Sequence, residues 1–288
     1  MIKKLIRRLK KWFVDRFISD ERFIISRYGK QFGRRPDLQN PRTFTEKLQW
    51  LKLNWHPEIL TRCTDKYEVR RFVADRICPE ILKELYGVYY RVEDIDADKL
   101  PDAFVLKVTH SSGMNVFCRD KSAFDWHTSI RLLRKYLKDR HFYKHREWAY
   151  KNIVPRIISE EYLTRNGETM YEYQFYCFGG TPRLVQIPDN NARQQNMFDL
   201  DLNRMDVKSS LPSLSVSITK PVLFGKMLEY ASGLSCGFPF VRVDLGYVNN
   251  RVYFGELTFY PRGGMYPLYP ESFDSLLGSY LQIPSVKR

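Results

Sequence analysis

Phe240-Val-Arg-Val-Asp-Leu-Gly-Tyr-Val-Asn-Asn-Arg-Val-Tyr-Phe-Gly-Glu-Leu-Thr-Phe259 is the stretch on which the reading of this chain turns. It predicts two strands, 240–248 and 252–259, with Asn249-Asn250-Arg251 as the turn, because paired Asn between apolar runs marks a hairpin. Arg242, Asp244 and Glu256 interrupt otherwise apolar strands. Arg242 and Asp244 are two apart and so share a sheet face. A hairpin closed at Asn249-Asn250 brings Glu256 opposite that region. Charges inside strands are costly unless paired or metal-bound. Two readings follow: an Arg–carboxylate pair that fixes strand register, or a hard-cation site with oxygen ligands, Mg²⁺ and a phosphate-bearing substrate.

Working outward, composition narrows the classes. The chain has 288 residues, 43% of them hydrophobic, which is enough for one large core or two smaller ones and is not a disordered composition. Its net charge of +14 points to an anionic partner. The five cysteines, Cys63, Cys78, Cys118, Cys177 and Cys236, form no CxxC pair, which argues against a disulfide framework or a zinc site and suits a reducing cytosol. No apolar run is long enough to span a bilayer, and no signal-peptide core is visible.

The N-terminus, residues 1–17, predicts a helix with Ile2, Leu5, Leu9, Trp12, Phe13 and Phe17 along one stripe and Lys and Arg flanking it. Such a basic amphipathic arm suits an anionic membrane surface; the alternative is a helix packed on the body. Nucleic acid is not an expected partner, since no helix-turn-helix, RNA-binding or zinc-finger pattern is present. Residues 27–42 read as a connector. Thr43 and Glu46 then fit a capping box at the head of a helix.

The middle of the chain carries a second chemical signal. The strand 103–109 holds Lys107 among apolar residues and runs into His110-Ser111-Ser112-Gly113-Met114-Asn115. A small-residue turn exposes backbone N–H groups that can wrap phosphate oxygens, and a neighbouring lysine adds charge. It is not a P-loop, because GxxxxGK[ST] is absent. Further on, the sequence predicts helices over 67–76, 122–138, 148–153 and 220–234. It predicts strands over 88–92, 115–118 and 156–163, a hairpin of 172–177 with 183–187 turned at Gly179-Gly180, and a polar loop over 189–206. Arg193 and Arg262 are candidate carboxylate or glycan clamps. Tyr260, Tyr266 and Tyr269 suit either sugar stacking or core packing.

From about residue 44 to the C-terminus, the chain resembles the TupA-like ATP-grasp family, linked to teichuronopeptide and surface-polysaccharide synthesis. The resemblance is carried by FTEKLQWLK, DKYEVR, FVLKVTHSSGMN, EW-x-Y-x-x-I-x-PRIISEEYL, FYCFGG and RVDLGY…VYFGELTFYPRGG, in that order. It implies an α+β, ATP-grasp fold in which two lobes clasp ATP. The expected divisions are a basic arm and connector (1–42), a helical region (43–84), a small lobe with the phosphate loop (85–165) and a C-terminal lobe with the Mg²⁺ site (166–288).

The resemblance also implies roles. Lys66 and Lys107 would contact ATP phosphates, and Ser111, Ser112 and Gly113 would close over them by backbone N–H donation. Glu160, Glu161 and Leu163 fall at the adenine hinge, and Glu172 at the ribose. Asp244, Glu256 and Thr258 would hold Mg²⁺, while Arg242 faces the transferring group. Two departures matter: many ATP-grasp ligases have Glu-x-Asn where this chain has Glu256-Leu257-Thr258, and the loop at Ser111-Ser112-Gly113 is serine-rich and short, which leaves the number of metal ions and the tightness of loop closure open. The implied activity is ATP-dependent joining of an amine, such as an amino acid, to a carboxylate of a surface polysaccharide or lipid-linked precursor through an acyl phosphate. That work would be done in the cytoplasm at the inner face of the membrane. Rival readings are a glycosyltransferase using Asp94-Ile-Asp96, Asp96-Ala-Asp98 or Asp199-Leu-Asp201, a sugar kinase on the same fold, and a membrane-docked glycan-binding scaffold.

Overall fold

The computed structural model describes residues 16–165, 168–189, 193–209, 211–214 and 218–285. Most of the expected N-terminal arm therefore lies outside the described residues. The architecture is α+β, with two antiparallel sheets.

The first part is helical: α1 (Asp20–Phe32), α2 (Phe44–Asn54), α3 (Glu58–Thr64) and α4 (Val69–Arg76). α1 corrects the expected connector over 27–42: Ser19 caps it, and Ile24 and Tyr28 bury its inner face. α2 begins as read from sequence, with Thr43 Oγ1 accepting from the Glu46 amide and Glu46 Oε2 accepting from the Thr43 amide. Phe44, Leu48 and Leu51 line the buried stripe of α2.

A four-stranded sheet follows, made of β1 (Leu85–Tyr89), β2 (Phe104–Val108), β3 (Asn115–Cys118) and β4 (Ile157–Glu161), in the order β1-β4-β2-β3. One face of β2 presents Phe104, Leu106 and Val108 to a small core that includes Leu133 of α5 (Trp126–Leu137). Alternation then turns Lys107 the other way, towards the second sheet. After α5 come the short α6 (Phe142–His145) and a tight turn at Trp148–Tyr150 in place of the helix expected over 148–153.

Beyond a two-stranded ribbon, β5 (Thr164–Arg165) and β6 (Glu168–Thr169), lies the larger sheet. It comprises β7 (Tyr171–Phe178), β8 (Thr181–Asp189), β9 (Gln194–Phe198), β10 (Phe240–Val248) and β11 (Arg251–Thr258), in the order β11-β10-β7-β8-β9. β9 corrects the expected polar loop over 189–206. Its Gln-Gln-Asn start reads as loop, yet Gln195 is buried in the wall of a polar cavity and Asn196 is buried, accepting from the Leu214 amide. The back of the sheet, with Phe175, Cys177, Val185, Val241, Val243 and Leu245, is buried in the main core. α7 (Phe224–Ser235) packs against that back, and α8 (Glu271–Tyr280) packs on α2. Burying one apolar face leaves the other free to carry chemistry.

The hairpin is closed by Asn249 and Asn250, both with positive φ, at 50° and 56°. The turn is therefore two residues long, and Arg251 is already paired with Val248. Register from this turn alone would place Glu256 opposite Val243, on the apolar face. A bulge corrects it: Leu245 pairs with Phe254 while Asp244 pairs with Glu256, leaving Gly255 as the extra residue. A Cβ at Gly255 would lie 2.8 Å from the Asp244 carbonyl oxygen, so the bulge requires glycine.

Candidate active site

The bulge brings Arg242, Asp244, Glu256 and Thr258 onto one patch. Arg242 pairs across the strands with Thr258, and Asp244 with Glu256. Arg242 donates from Nε to Asp244 Oδ1 at 2.7 Å and from Nη2 to Asp244 Oδ2 at 2.5 Å. Its Nη2 also donates to Thr258 Oγ1 at 3.2 Å, and Thr258 in turn donates to Glu256 Oε1 at 2.9 Å. Burial pushes the Asp244 carboxyl up and Arg242 pulls it down. Two parallel, short contacts are the geometry of an ionised guanidinium–carboxylate pair.

Asp244, an expected Mg²⁺ ligand, has both oxygens hydrogen-bonded to Arg242 in this arrangement. Arg242, expected to face the transferring group, is held beside Asp244 and Thr258. Glu256 is the more available donor. Burial alone would raise its carboxyl, but Lys66, Arg242, the Thr258 hydrogen bond and Lys107 outweigh it and hold it below the usual range. Among the described residues, no three His, Cys, Asp or Glu groups stand together as a metal site of their own. Glu256, Asp244 and Thr258 still fit Mg²⁺ by donor chemistry, because this ion takes one or two carboxylates and completes its shell with phosphates and water.

Lys66, from the turn between α3 and α4, and Lys107, from β2 of the smaller sheet, converge on the same patch. Lys66 Nζ donates to the Ser111 carbonyl at 2.5 Å. Burial lowers its basicity, with Glu256 opposing and Lys107 adding to the effect. Arg156 fixes the chain on either side of Lys66, pairing with Asp65 at 2.7 Å and Glu68 at 2.9 Å. Lys107 Nζ pairs with Glu160 Oε2 at 2.7 Å, and Arg70 reaches Glu160 Oε1 at 3.0 Å.

Glu160 therefore departs from the expected adenine hinge. Its backbone is paired with both β1 and β2, and its side chain holds two cations. Burial alone would push Glu160 up, but Lys107, Lys83 and Arg70 more than offset it. The Glu161 amide donates to the Glu84 carbonyl at 3.0 Å, so that N–H is also engaged by the fold. Leu163 lies just past the end of β4, half-buried.

The phosphate loop divides. Ser111 is fully buried, its hydroxyl donating to Asp139 Oδ2 at 2.9 Å and lying 3.2 Å from His141 Nδ1. The fold thus holds the Ser111 hydroxyl, whereas the expectation for this loop concerns its backbone N–H groups. Ser112 and Gly113 are exposed, and Gly113 has φ +72°. Those two alone have the freedom that a covering turn needs.

Two cavities meet at this patch. The smaller, of about 150 Å³, is lined by Lys66, Arg70, Lys83, Lys107, Glu160 and Glu172, with Glu256 in its wall. The sequence reading missed Lys83, whose basicity is lowered to about 8 by burial and by Lys107. Only its place beside β1 marks it. The larger cavity, of about 580 Å³, is lined by Ser112, Glu147, Gln174, Arg193, Arg242 and Arg262 among others, and again by Glu256. Gln186 and Gln195 join its floor; Gln186 donates to Gln195 Oε1 at 2.9 Å, and the Tyr176 hydroxyl donates to Gln186 at 2.9 Å.

Other missed residues act from below. Gln49 donates to the Gly264 carbonyl at 2.7 Å, and Lys52 donates to the Gly263 carbonyl, so α2 holds the turn that presents Arg262. That turn runs through three successive positive-φ residues, Arg262, Gly263 and Gly264. The tyrosines also separate: Tyr260 and Tyr266 are buried, while Tyr269 is 56% exposed.

The rival Asp-x-Asp triplets have local roles. Asp96 caps the turn at Asp98 and pairs with Lys99. Asp199 Oδ1 accepts from the Asp201 and Asn203 amides.

Among solved structures, the chain is similar to a D-alanine–D-alanine ligase from Bacillus anthracis complexed with ATP, with 13% identity and TM-score 0.45 over 77% of this chain and 66% of that one. It is similar to the D-alanine–D-alanine ligase from Helicobacter pylori, with 14% identity and TM-score 0.45 over 76% and 61%. An L-amino acid ligase from Bacillus licheniformis matches with 13% identity and TM-score 0.40 over 74% and 44%. The chain spans between two-fifths and two-thirds of the length of these three proteins. No curated protein matches it. The model of the TupA-like ATPgrasp family matches residues 46–282, and with more than three-quarters of its length so covered the chain belongs to that family.

Proposed function

We propose that this protein is an ATP-dependent carboxylate–amine ligase that joins an amino acid or similar amine to a carboxylate of a cell-surface polysaccharide or its precursor. The observation that carries this reading is the position of Glu256, in the wall of both a lysine-lined cavity and an arginine-lined one. A triphosphate on one side and an acidic acceptor on the other would meet at that carboxylate. ATP is consumed as a substrate, and the overall change is carboxylate, amine and ATP to amide, ADP and phosphate.

Lys66, Lys83 and Lys107 set positive charge around the smaller cavity, suited to phosphate oxygens in a site of low dielectric. Glu172 also lines that cavity and would meet the ribose. Glu256, with Thr258 and Asp244, would hold Mg²⁺. When bound, the ion neutralises phosphate charge. Arg242 stays beside Asp244 and Thr258, oriented by both. Arg193 and Arg262 suit the acceptor carboxylate. Ser112 and Gly113 cover the junction and exclude water from the activated acyl group. The uronic or glutamyl identity of the acceptor, and work at the cytoplasmic face of a membrane, belong to the same proposal. They rest on the family's link to surface polymers and on the basic composition.

The test is direct. Purified protein is incubated with Mg-ATP, uronic-acid oligosaccharides and a panel of amino acids, and ADP and amide products are measured. Lys107→Ala should cut acceptor-dependent ADP release at least about 100-fold, since one lost electrostatic contact in such a site is worth that much. Undiminished release would remove Lys107 from the site. A phosphorylated sugar in place of an amide would identify a kinase.

A further inference from the structure

The larger cavity is basic at its mouth, yet one wall carries a buried carboxylate that nothing above explains. Glu147 is 5% exposed and follows α6. Its surroundings come from four places. Lys52 lies on α2; His141, Lys144 and His145 lie on or beside α6; Tyr150 is in the following turn; and Glu256, Tyr260 and Arg262 come from β11 and the turn after it.

Lys52 looks like the partner of Glu147, but its hydrogens are otherwise engaged. A lysine has three N–H donors. Those of Lys52 go to Gln49 Oε1 at 2.8 Å, the His145 carbonyl at 3.0 Å and the Gly263 carbonyl. His141 Nε2 is 3.9 Å from Glu147 Oε1, beyond hydrogen-bond range, and burial pushes His141 down to about 4, so it is neutral at pH 7. Glu147 therefore sits near a cation that it does not hydrogen-bond.

Beside it, the Tyr260 hydroxyl is buried without a hydrogen-bond partner and belongs to the same cavity wall. Buried polar atoms without partners are uncommon, and one in a cavity wall is placed to meet a bound group. The group that satisfies a carboxylate and a phenol oxygen together is a donor-rich cation.

We propose that Glu147, with the Tyr260 hydroxyl, receives the ammonium group of the amine co-substrate and takes its proton. This rests on the ligase reading above. An ammonium has no lone pair, so one proton must leave before nitrogen can attack. That proton passes to the Glu147 carboxylate. The freed lone pair forms the C–N bond, the acyl C–O bond breaks, and the second nitrogen proton departs with the phosphate. Glu147 then returns its proton to solvent. Burial raises the Glu147 carboxyl, Lys52 and Lys144 pull it back and Glu256 pushes it further, leaving it above the usual range and closer to the pH at which a base must work.

The test uses the full chain with Mg²⁺ and the β,γ-imido analogue of ATP. Melting temperature is followed against free amino acids and their N-acetyl forms. At least one free amino acid should raise it, and its N-acetyl form should not. Glu147→Gln should need about tenfold or more of that amino acid for the same shift, the size expected for a lost charged hydrogen bond; Glu147→Asp should recover part. The site is overturned if no free amino acid shifts the wild type, if the N-acetyl form does as well, or if Glu147→Gln responds like the wild type. Should Glu147→Gln fail to fold, the free and acetylated forms on the wild type decide alone. Expected binding with no ADP released for any acceptor would sink the ligase reading and leave the ammonium site standing. Amide formation at the wild-type rate by Glu147→Gln would do the reverse.

Discussion

At the scale of single residues, the site is organised by charges that hold other charges. Glu160 is the clearest case. It lines the smaller cavity, but its two oxygens are divided between Lys107 and Arg70. Replacing it by Gln leaves two cations around a neutral amide that can accept but not neutralise. Breaking a buried pair in this way costs about 3 kcal/mol. Glu160→Gln should therefore lower the urea midpoint and weaken nucleotide binding together. Loss of nucleotide binding at unchanged stability would instead mean that Glu160 touches the nucleotide. The sequence disclosed Lys107, because a lone lysine in an apolar strand stands out. It could not disclose Glu160's task, since Glu160-Glu161 offers two adjacent acids and only the strand's pairing says which one turns inward. Lys52 was hidden for a related reason: on a helix, a lysine at the edge of an apolar stripe reads as solvated, whereas this one is 3% exposed.

At the scale of elements, the hairpin was legible in its strands and turn but not in its register. Alternation and the Asn pair locate β10 and β11. A one-residue bulge then decides whether Glu256 faces Asp244 or the apolar core. Gly255, between Phe254 and Glu256, is the signal in the sequence. Gly255→Ala should destabilise by about 1–3 kcal/mol, the usual cost of forcing a methyl into a packed site, and should misplace Glu256. A thermal melt and a nucleotide titration check both. An alanine variant with wild-type melting and titration would show that the bulge does not depend on glycine. β9 shows the converse failure. Its glutamines and asparagine are loop formers by composition, and only the polar partners that Gln195 and Asn196 find in the fold let them be buried in a strand. α1 is hard to read because Pro36 and Pro41 mark the stretch after it as a connector, while its Ser19 cap and the buried Ile24 and Tyr28 lie ahead of them.

At the scale of the whole molecule, the family blocks gave the order of the parts, and the structure explains why they travel together. FTEKLQWLK supplies Gln49 and Lys52, which hold PRGG; DKYEVR supplies Asp65 and Glu68, which fix Arg156 of PRIISEEYL. Pairings of this kind between distant segments leave no periodic trace in either one. No helix among the described residues is long and apolar enough to cross a membrane. Attachment through residues 1–17 remains a separate proposal, tested with vesicles: deletion should reduce binding to anionic vesicles, and added salt should weaken the intact chain's binding. Equal binding by the truncated chain would dismiss it.

The shared wall at Glu256 has a thermodynamic consequence. Two ligands that bear on one carboxylate are energetically linked, and linkage is reciprocal: whatever factor the first imposes on the second's dissociation constant, the second imposes on the first's. On the proposed assignment of the two chambers, a fluorescent nucleotide in the smaller one would act as a reporter for compounds entering the larger, and a search for the acceptor can proceed by listening from the other side.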